Sequence, residues 1–239
     1  MLTASQPLAP EREAIIRWTA RMGAVTADAV AYRHGISVVS ARGRLLGAER
    51  ARLLSRQRPL TSAPALYTIT RAGLRACGLR GLDPCRVSAS NARHSVVCAE
   101  VAAALERCYP DHEVLGEREL RRDERECGHP LASARLGAPG VGEPLLHRPD
   151  LVLRPTRSGE PLPVAVEVEL TIKAPRRLAA ICTAWARCRC VAGVLYLVAP
   201  EVEHALERAI DTARAGERIA AVPLNALPSV RSERRADRS

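Results

Sequence analysis

Apolar residues recur mainly at helical spacing in the first third of the chain, and helical and strand spacing alternate later. From Glu11, the positions Ile15, Ile16, Trp18 and Met22 predict a helix that Gly23 stops. The stretch VTADAVAYRHG predicts a shorter helix, with Thr26 placed to cap its start and Gly35 to end it. ISVVSARGRLLGAERARLL predicts a third, capped by Ser37 and running into Leu53 and Leu54, with Val38, Val39, Leu45 and Leu46 supplying most of its core side. A polar, basic loop, RQRPLTSAP, leads into the alternating strand ALYTIT. TRAGLRACGLRGLDP adds a last helix with a Gly/Pro exit, and RVSASNAR reads as a linker.

The second half opens with the helical repeat HSVVCAEVAAALERC and a strand within HEVLGEREL. A polar, glycine-rich excursion, RRDERECGHPLASARLGAPGVGEP, separates it from a second strand, RPDLVLRP. In VAVEVELTIK the residues Val164, Val166, Val168 and Leu170 alternate with Ala165, Glu167, Glu169 and Thr171, which predicts a third strand with one apolar and one carboxylate-bearing face. The helix RRLAAICTAWARCRC, the strand GVLYLVA, the helix EVEHALERAIDTARAG and a short strand in ERIAAVPL follow. Helix, three strands, helix, strand is the order of a sheet with flanking helices, so the chain is expected to be α+β. Its expected divisions are an N-terminal domain at 11–82, a second domain at 90–227 and a basic disordered tail at 228–239.

Composition sharpens the first domain. A hydrophobic fraction of 47% supports a real core, but Phe is absent and aromatics are 3%, which argues against base-stacking platforms. The net charge is +10, and residues 1–90 alone hold 14 arginines and no lysine against 5 acids, so nearly all the excess lies there. Three short helices, a basic loop and a strand, carrying that charge, are the order of a winged helix-turn-helix with duplex DNA as partner. Ser40, Arg42 and Arg44 on the third helix would face the major groove, and Arg56 and Arg58 would meet phosphates from the wing. The alternatives are a small helical domain whose arginines are only solvated, or one that binds a protein through the same surface.

Other classes are disfavoured. No apolar run approaches the ~20 residues that span a bilayer, and MLTASQPLAPERE lacks the regions of a signal peptide, so a cytoplasmic protein is expected. The eight cysteines are scattered, mostly in apolar segments, and read as free thiols; Cys182, Cys188 and Cys190 offer a weaker zinc alternative.

With Pro149-Asp150 on the second strand and Glu167-Val168-Glu169 on the third, the second domain resembles the αβββαβ core of the PD-(D/E)XK nuclease superfamily. Joined to an N-terminal winged helix, and with RPDLVL, VAVEVELTIK and VLYLV in sequence, residues 11 to about 224 resemble the replication-relaxation family of plasmid and conjugative-element proteins. The resemblance implies Mg²⁺- or Mn²⁺-dependent cleavage or nicking of DNA, with Asp150 and Glu167 as metal ligands and Glu169 and Lys173 completing the catalytic set. Magnesium takes oxygen ligands, one or two of them carboxylates, together with waters and a substrate phosphate. The superfamily's lysine follows the acid by two residues; Glu169 stands there, so Lys173, the only lysine of the chain, would serve from the strand's end. Glu100, Glu117 and Glu119 are marginal further carboxylates, His94 is expected to cap or pack, and His147 is noted only as a neighbour of Asp150. The competing reading is a non-enzymatic transcriptional or replication regulator with an inactive nuclease-like domain, as a homodimer or holding partners. Least favoured is a protein-interaction module with no nucleic acid.

Overall fold

A computed structural model describes residues 9–61, 63–137, 145–157 and 162–228. The N-terminal eight residues and the expected tail at 229–239 lie outside the described residues. The described chain divides into two units, 9–107 and 108–228. It is mixed α and β, with both antiparallel and mixed sheets.

In the first unit, α1 (Pro10–Met22) starts on a proline, whose missing N–H costs nothing in a first turn, and stops at Gly23 with φ 85°. After β1 (Ala24–Val25), α2 (Ala27–His34) is capped by Thr26, whose side chain accepts from Ala29 N at 3.1 Å, and closed by Gly35 in the left-handed region. Ser37 caps α3 (Val38–Arg50) by accepting from Ser40 N at 3.1 Å. β2 (Leu54–Gln57), β3 (Leu66–Ile69) and β1 form an antiparallel sheet in the order β1-β3-β2, and α4 (Arg71–Ala76) follows under a Thr70 cap.

Two expectations about α3 are corrected. The helix ends at Arg50, and Leu54 opens a strand paired with Ile69 instead of continuing the helix. The reason lies in the turn: Arg52 has φ 58°, and Thr70 Oγ1 donates to the carbonyls of Arg52 and Leu53 at 2.7 and 2.9 Å. The core side is also different. Ala41, Leu45 and Ala48, spaced i, i+4, i+7, are buried, whereas Val39 is 78% exposed and Val38 and Leu46 are half-buried.

The long helix α5 (Ala89–Cys108), expected at the head of the second domain, groups with the first unit over nearly its whole length. Its Ala92 and Val96 pack with Ala24 and Leu66. Near its end Glu106 accepts from Trp18 Nε1 at 3.1 Å and pairs with Arg33, and Arg107 lies 4.4 Å above the Tyr32 ring.

The second unit begins with β4 (His112–Gly116), followed not by more strand but by α6 (Glu117–Cys127). Acidic Glu117 and Glu119 in its first turn and Arg125 in its last suit the helix dipole, an Arg121–Glu117 pair spans one turn, and Gly128 at φ 77° ends it. The expectation that Glu117 and Glu119 lie on a strand is thereby overturned. A short ladder joins β5 (Ala134–Arg135) and β6 (Leu146–His147). Then β7 (Leu151–Pro155), β8 (Val164–Glu169), α7 (Pro175–Arg187), β9 (Gly193–Val198), α8 (Pro200–Ala213) and β10 (Ile219–Pro223) complete the unit, with one turn of 3₁₀-helix at Leu224–Ala226.

These strands form one sheet in the order β10-β9-β8-β7-β4. Only β7 opposes its neighbours; β8, β9 and β10 are parallel, and α7 and α8 are the crossovers that parallel neighbours require. One face packs Val152, Ala165, Val194 and Tyr196 against Leu178, Ile181 and Trp185 of α7 and Leu206 and Ile210 of α8. The central strand β8 is therefore buried on both faces, its carboxylate-bearing face included.

Candidate functional site

Glu167 and Glu169 share the pleat of Ala165, the side of β8 that meets α7, and each is only 4% exposed. Glu167 Oε1 accepts from His147 Nε2 at 2.7 Å and from Trp185 Nε1 at 3.2 Å. The His147 ring stands edge-on to Trp185 at 5.7 Å, so strand β6 and helix α7 clamp one carboxylate oxygen between them. Burial raises the proton affinity of Glu167; the hydrogen bond and charge of His147 oppose that, the charge of Asp150 adds to it, and Lys173 opposes it. The effect spreads to its neighbours. Burial, then the Glu167 charge, push the Cys182 thiol up to about 11 and the hydroxyl of Tyr196, cross-strand from Glu167, well above its ordinary value.

Asp150 immediately precedes β7. The β7–β8 register pairs Leu151 with Val166, so the next step sets Asp150 across from Glu167. Its Oδ2 accepts from Val168 N at 2.8 Å, and its carbonyl accepts from Glu117 N at 3.1 Å. The carboxylate thus takes the place of a backbone acceptor where the ladder ends, and its charge acts on Glu167.

The strand stops at Glu169, so Thr171 and Lys173 do not continue its acidic face. Lys173 instead folds back from the segment ahead of α7 and pairs with Glu169.

Two contributors to the site carry no signal in the sequence. In sequence His147 is only a neighbour of Asp150, and nothing local announces its bond to a carboxylate 20 residues away. The second is Glu124 of α6. It is buried, and it accepts from Arg148 Nε at 3.0 Å and from the backbone of Leu131 and Ala132 at 3.0 and 3.5 Å. That knot ties the segment 147–150, and with it His147 and Asp150, to α6. Of the marginal acids, Glu119 is buried on α6, Glu117 pairs with Arg121 at the surface, and Glu100 lies on α5 of the first unit. His94 also lies on α5, where its Nε2 is 3.3 Å from Cys98 Sγ.

In the first unit Arg42, Arg56 and Arg58 are exposed, and their charges act on one hydroxyl: burial raises the proton affinity of Tyr67, and the charges of Arg56, Arg42 and Arg58 oppose it. Tyr67 pairs with Arg56 across the β2–β3 ladder. Arg44, expected beside them, pairs with Glu11 of α1 at 2.8 Å. Ser40 is half-buried in the first turn of α3. All eight cysteines are free, and among the described residues no helix is long and apolar enough to cross a membrane.

No family model matches the chain. No curated protein matches it either.

Proposed function

We propose that the chain is a DNA-binding protein of the replication-relaxation type, acting in plasmid or mobile-element replication or transfer. In this reading the first unit is a winged helix-turn-helix that holds duplex DNA, and the second carries a PD-(D/E)XK-type phosphodiesterase site. The observation that carries the reading is the opposition of Asp150, immediately ahead of β7, and Glu167 of neighbouring β8, the glutamate buried and raised in proton affinity by burial and by the charge of Asp150. Two hard oxygen donors in that relation suit Mg²⁺ or Mn²⁺, and Asp150 and Glu167 would hold the ion. A bound ion would make a nucleophile of water at neutral pH and offset charge on the phosphate.

The protein's own groups do the rest. His147 donates to Glu167 Oε1 and fixes the carboxylate's orientation, as groups behind metal ligands commonly do. Lys173, held by Glu169, places an ammonium at the end of β8, where it can offset charge building on a phosphate. Arg42, Arg56 and Arg58 supply phosphate contacts on the first unit.

A second reading is favoured by one observation: Glu167 Oε1 already accepts from two protein donors, and Lys173 is already engaged by Glu169. A regulator that binds DNA without cutting it would need those groups only to satisfy buried charge.

Purified protein incubated with supercoiled and linear DNA in Mg²⁺ or Mn²⁺, with EDTA as control, separates the two. Nicking or cleavage by wild type that falls at least 100-fold in Asp150→Asn and Glu167→Gln, with DNA binding retained, is expected. Wild type that binds but never cuts, or cuts undiminished after Asp150→Asn, establishes the regulator.

A further inference from the structure

The C-terminal end of α7 carries a pair of thiols that the proposed site does not use. Cys188 caps the helix, its N–H donating to Trp185 O at 3.0 Å, and Cys190 follows in the turn before β9. Their sulfurs are 3.2 Å apart, and both point at one acceptor, Ser133 O, at 3.8 and 3.7 Å. Ser133 is itself buried, and among the described residues its hydroxyl has no partner. Arg218 braces the same turn from β10's approach, donating to the carbonyls of Cys188, Val191 and Ala192 at 2.7, 2.7 and 2.9 Å. Among the described residues Cys182 does not gather with these two into a metal-ligand group.

We propose that Cys188 and Cys190 are a reactive dithiol, which a hydroperoxide converts to an intramolecular disulfide. Two sulfurs already in contact need close only to the roughly 2.0 Å of a disulfide bond, and the rigid brace of Arg218 holds the turn while they do. The sulfur-to-sulfur hydrogen bond, together with backbone N–H groups and the Arg218 charge, outweighs burial and brings the Cys188 thiol down to about 6, whereas Cys190 is held protonated by the same bond. Cys188 is thus the nucleophile. Cys190, half-buried, is the resolving partner.

The chemistry balances with the peroxide as the only oxidant. The Cys188 thiolate attacks one peroxide oxygen; an S–O bond forms, the O–O bond breaks, and the departing oxygen takes a proton to leave as water or an alcohol. Cys190 then loses its proton, its sulfur attacks Cys188 Sγ, the S–O bond breaks, and hydroxide leaves as water with that proton. Once Cys188 is a sulfenic acid, the negative charge that held the Cys190 proton is gone. Two thiols lose two electrons and the peroxide gains them. A ring closed across one intervening residue is tight, so a dithiol reductant should reopen it readily.

The test uses the full chain, reduced, desalted and exposed to graded hydrogen peroxide, then blocked with N-ethylmaleimide and cut after Trp185 and Leu195. Peptide 186–195 is expected to take up no maleimide and to be lighter by two hydrogens, at peroxide doses that leave Cys85, Cys108 and Cys127 fully alkylated. Dithiothreitol should restore both alkylation sites. Cys190→Ser should instead accumulate a dimedone adduct on Cys188, with unchanged circular dichroism. Alkylation of Cys188 and Cys190 that persists as long as that of the other three overturns the proposal. So does wild-type oxidation of Cys188 directly to the sulfinic acid.

Discussion

His34 shows how a single residue ties stability to pH. Burial, then the charges of Arg33 and Arg44, bring its proton affinity down from 6.5 to about 4, and Arg33 Nη1 lies 3.0 Å from Nε2, an arrangement that suits the neutral ring. The unfolded chain therefore binds a proton that the folded chain refuses between those values, and stability must fall as pH drops from about 6.5 toward 4. Denaturant midpoints measured across that window should decline with acid, and His34→Gln should flatten the decline; an equal slope in both proteins would show that other groups set it. At this scale the sequence was legible where a residue acts on its immediate neighbours. Thr26, Ser37, Gly23 and Gly35 perform as helix boundaries because their bonds close within three or four residues. His147, Trp185 and Glu167 were not legible as a group, since only the folded sheet and helix bring them together.

Among the elements, α6 was the least readable, and its composition explains why. An amphipathic helix announces itself by an apolar stripe, but here the buried positions are Glu119, Leu120 and Glu124, so two carboxylates stand where hydrophobic residues would mark the period. The third strand was legible as an element, but its burial was not. Its alternation predicts β8, and β8 is a central strand between antiparallel β7 and parallel β9 with helices packed on the sheet, so both its faces are buried and the carboxylates there are buried groups. The α3–β2 turn adds a constraint that sequence periodicity cannot express. A Cβ on Gly73 would lie 2.2 Å from Leu53 O and 2.5 Å from Ile69 Cδ1, so backbone would have to yield. Gly73→Ala is expected to cost about 3 kcal/mol and to lower the melting temperature by several degrees. Gly43→Ala, at a helical position with open space around it, is the control and should melt at or above the wild-type temperature.

For the molecule as a whole, the uneven charge is the property with the broadest reach. Nine of the ten net positive charges belong to residues 1–90. If that surface meets duplex DNA, affinity must fall steeply with salt, and replacing Arg56 and Arg58 together by alanine should weaken binding to every sequence and reduce the slope of log affinity against log salt by about one per arginine. Filter-binding or fluorescence anisotropy of the full chain at several salt concentrations measures this; an unchanged slope would remove both residues from the interface. The same bias toward arginine leaves Lys173, paired with Glu169, as the only lysine of the chain. Apart from the α-amino group, an amine-directed reagent finds one side chain to attach to. Eight native thiols scatter a maleimide dye over the molecule, whereas an acylating fluorophore would be delivered to one address, beside the acids at the end of the central strand.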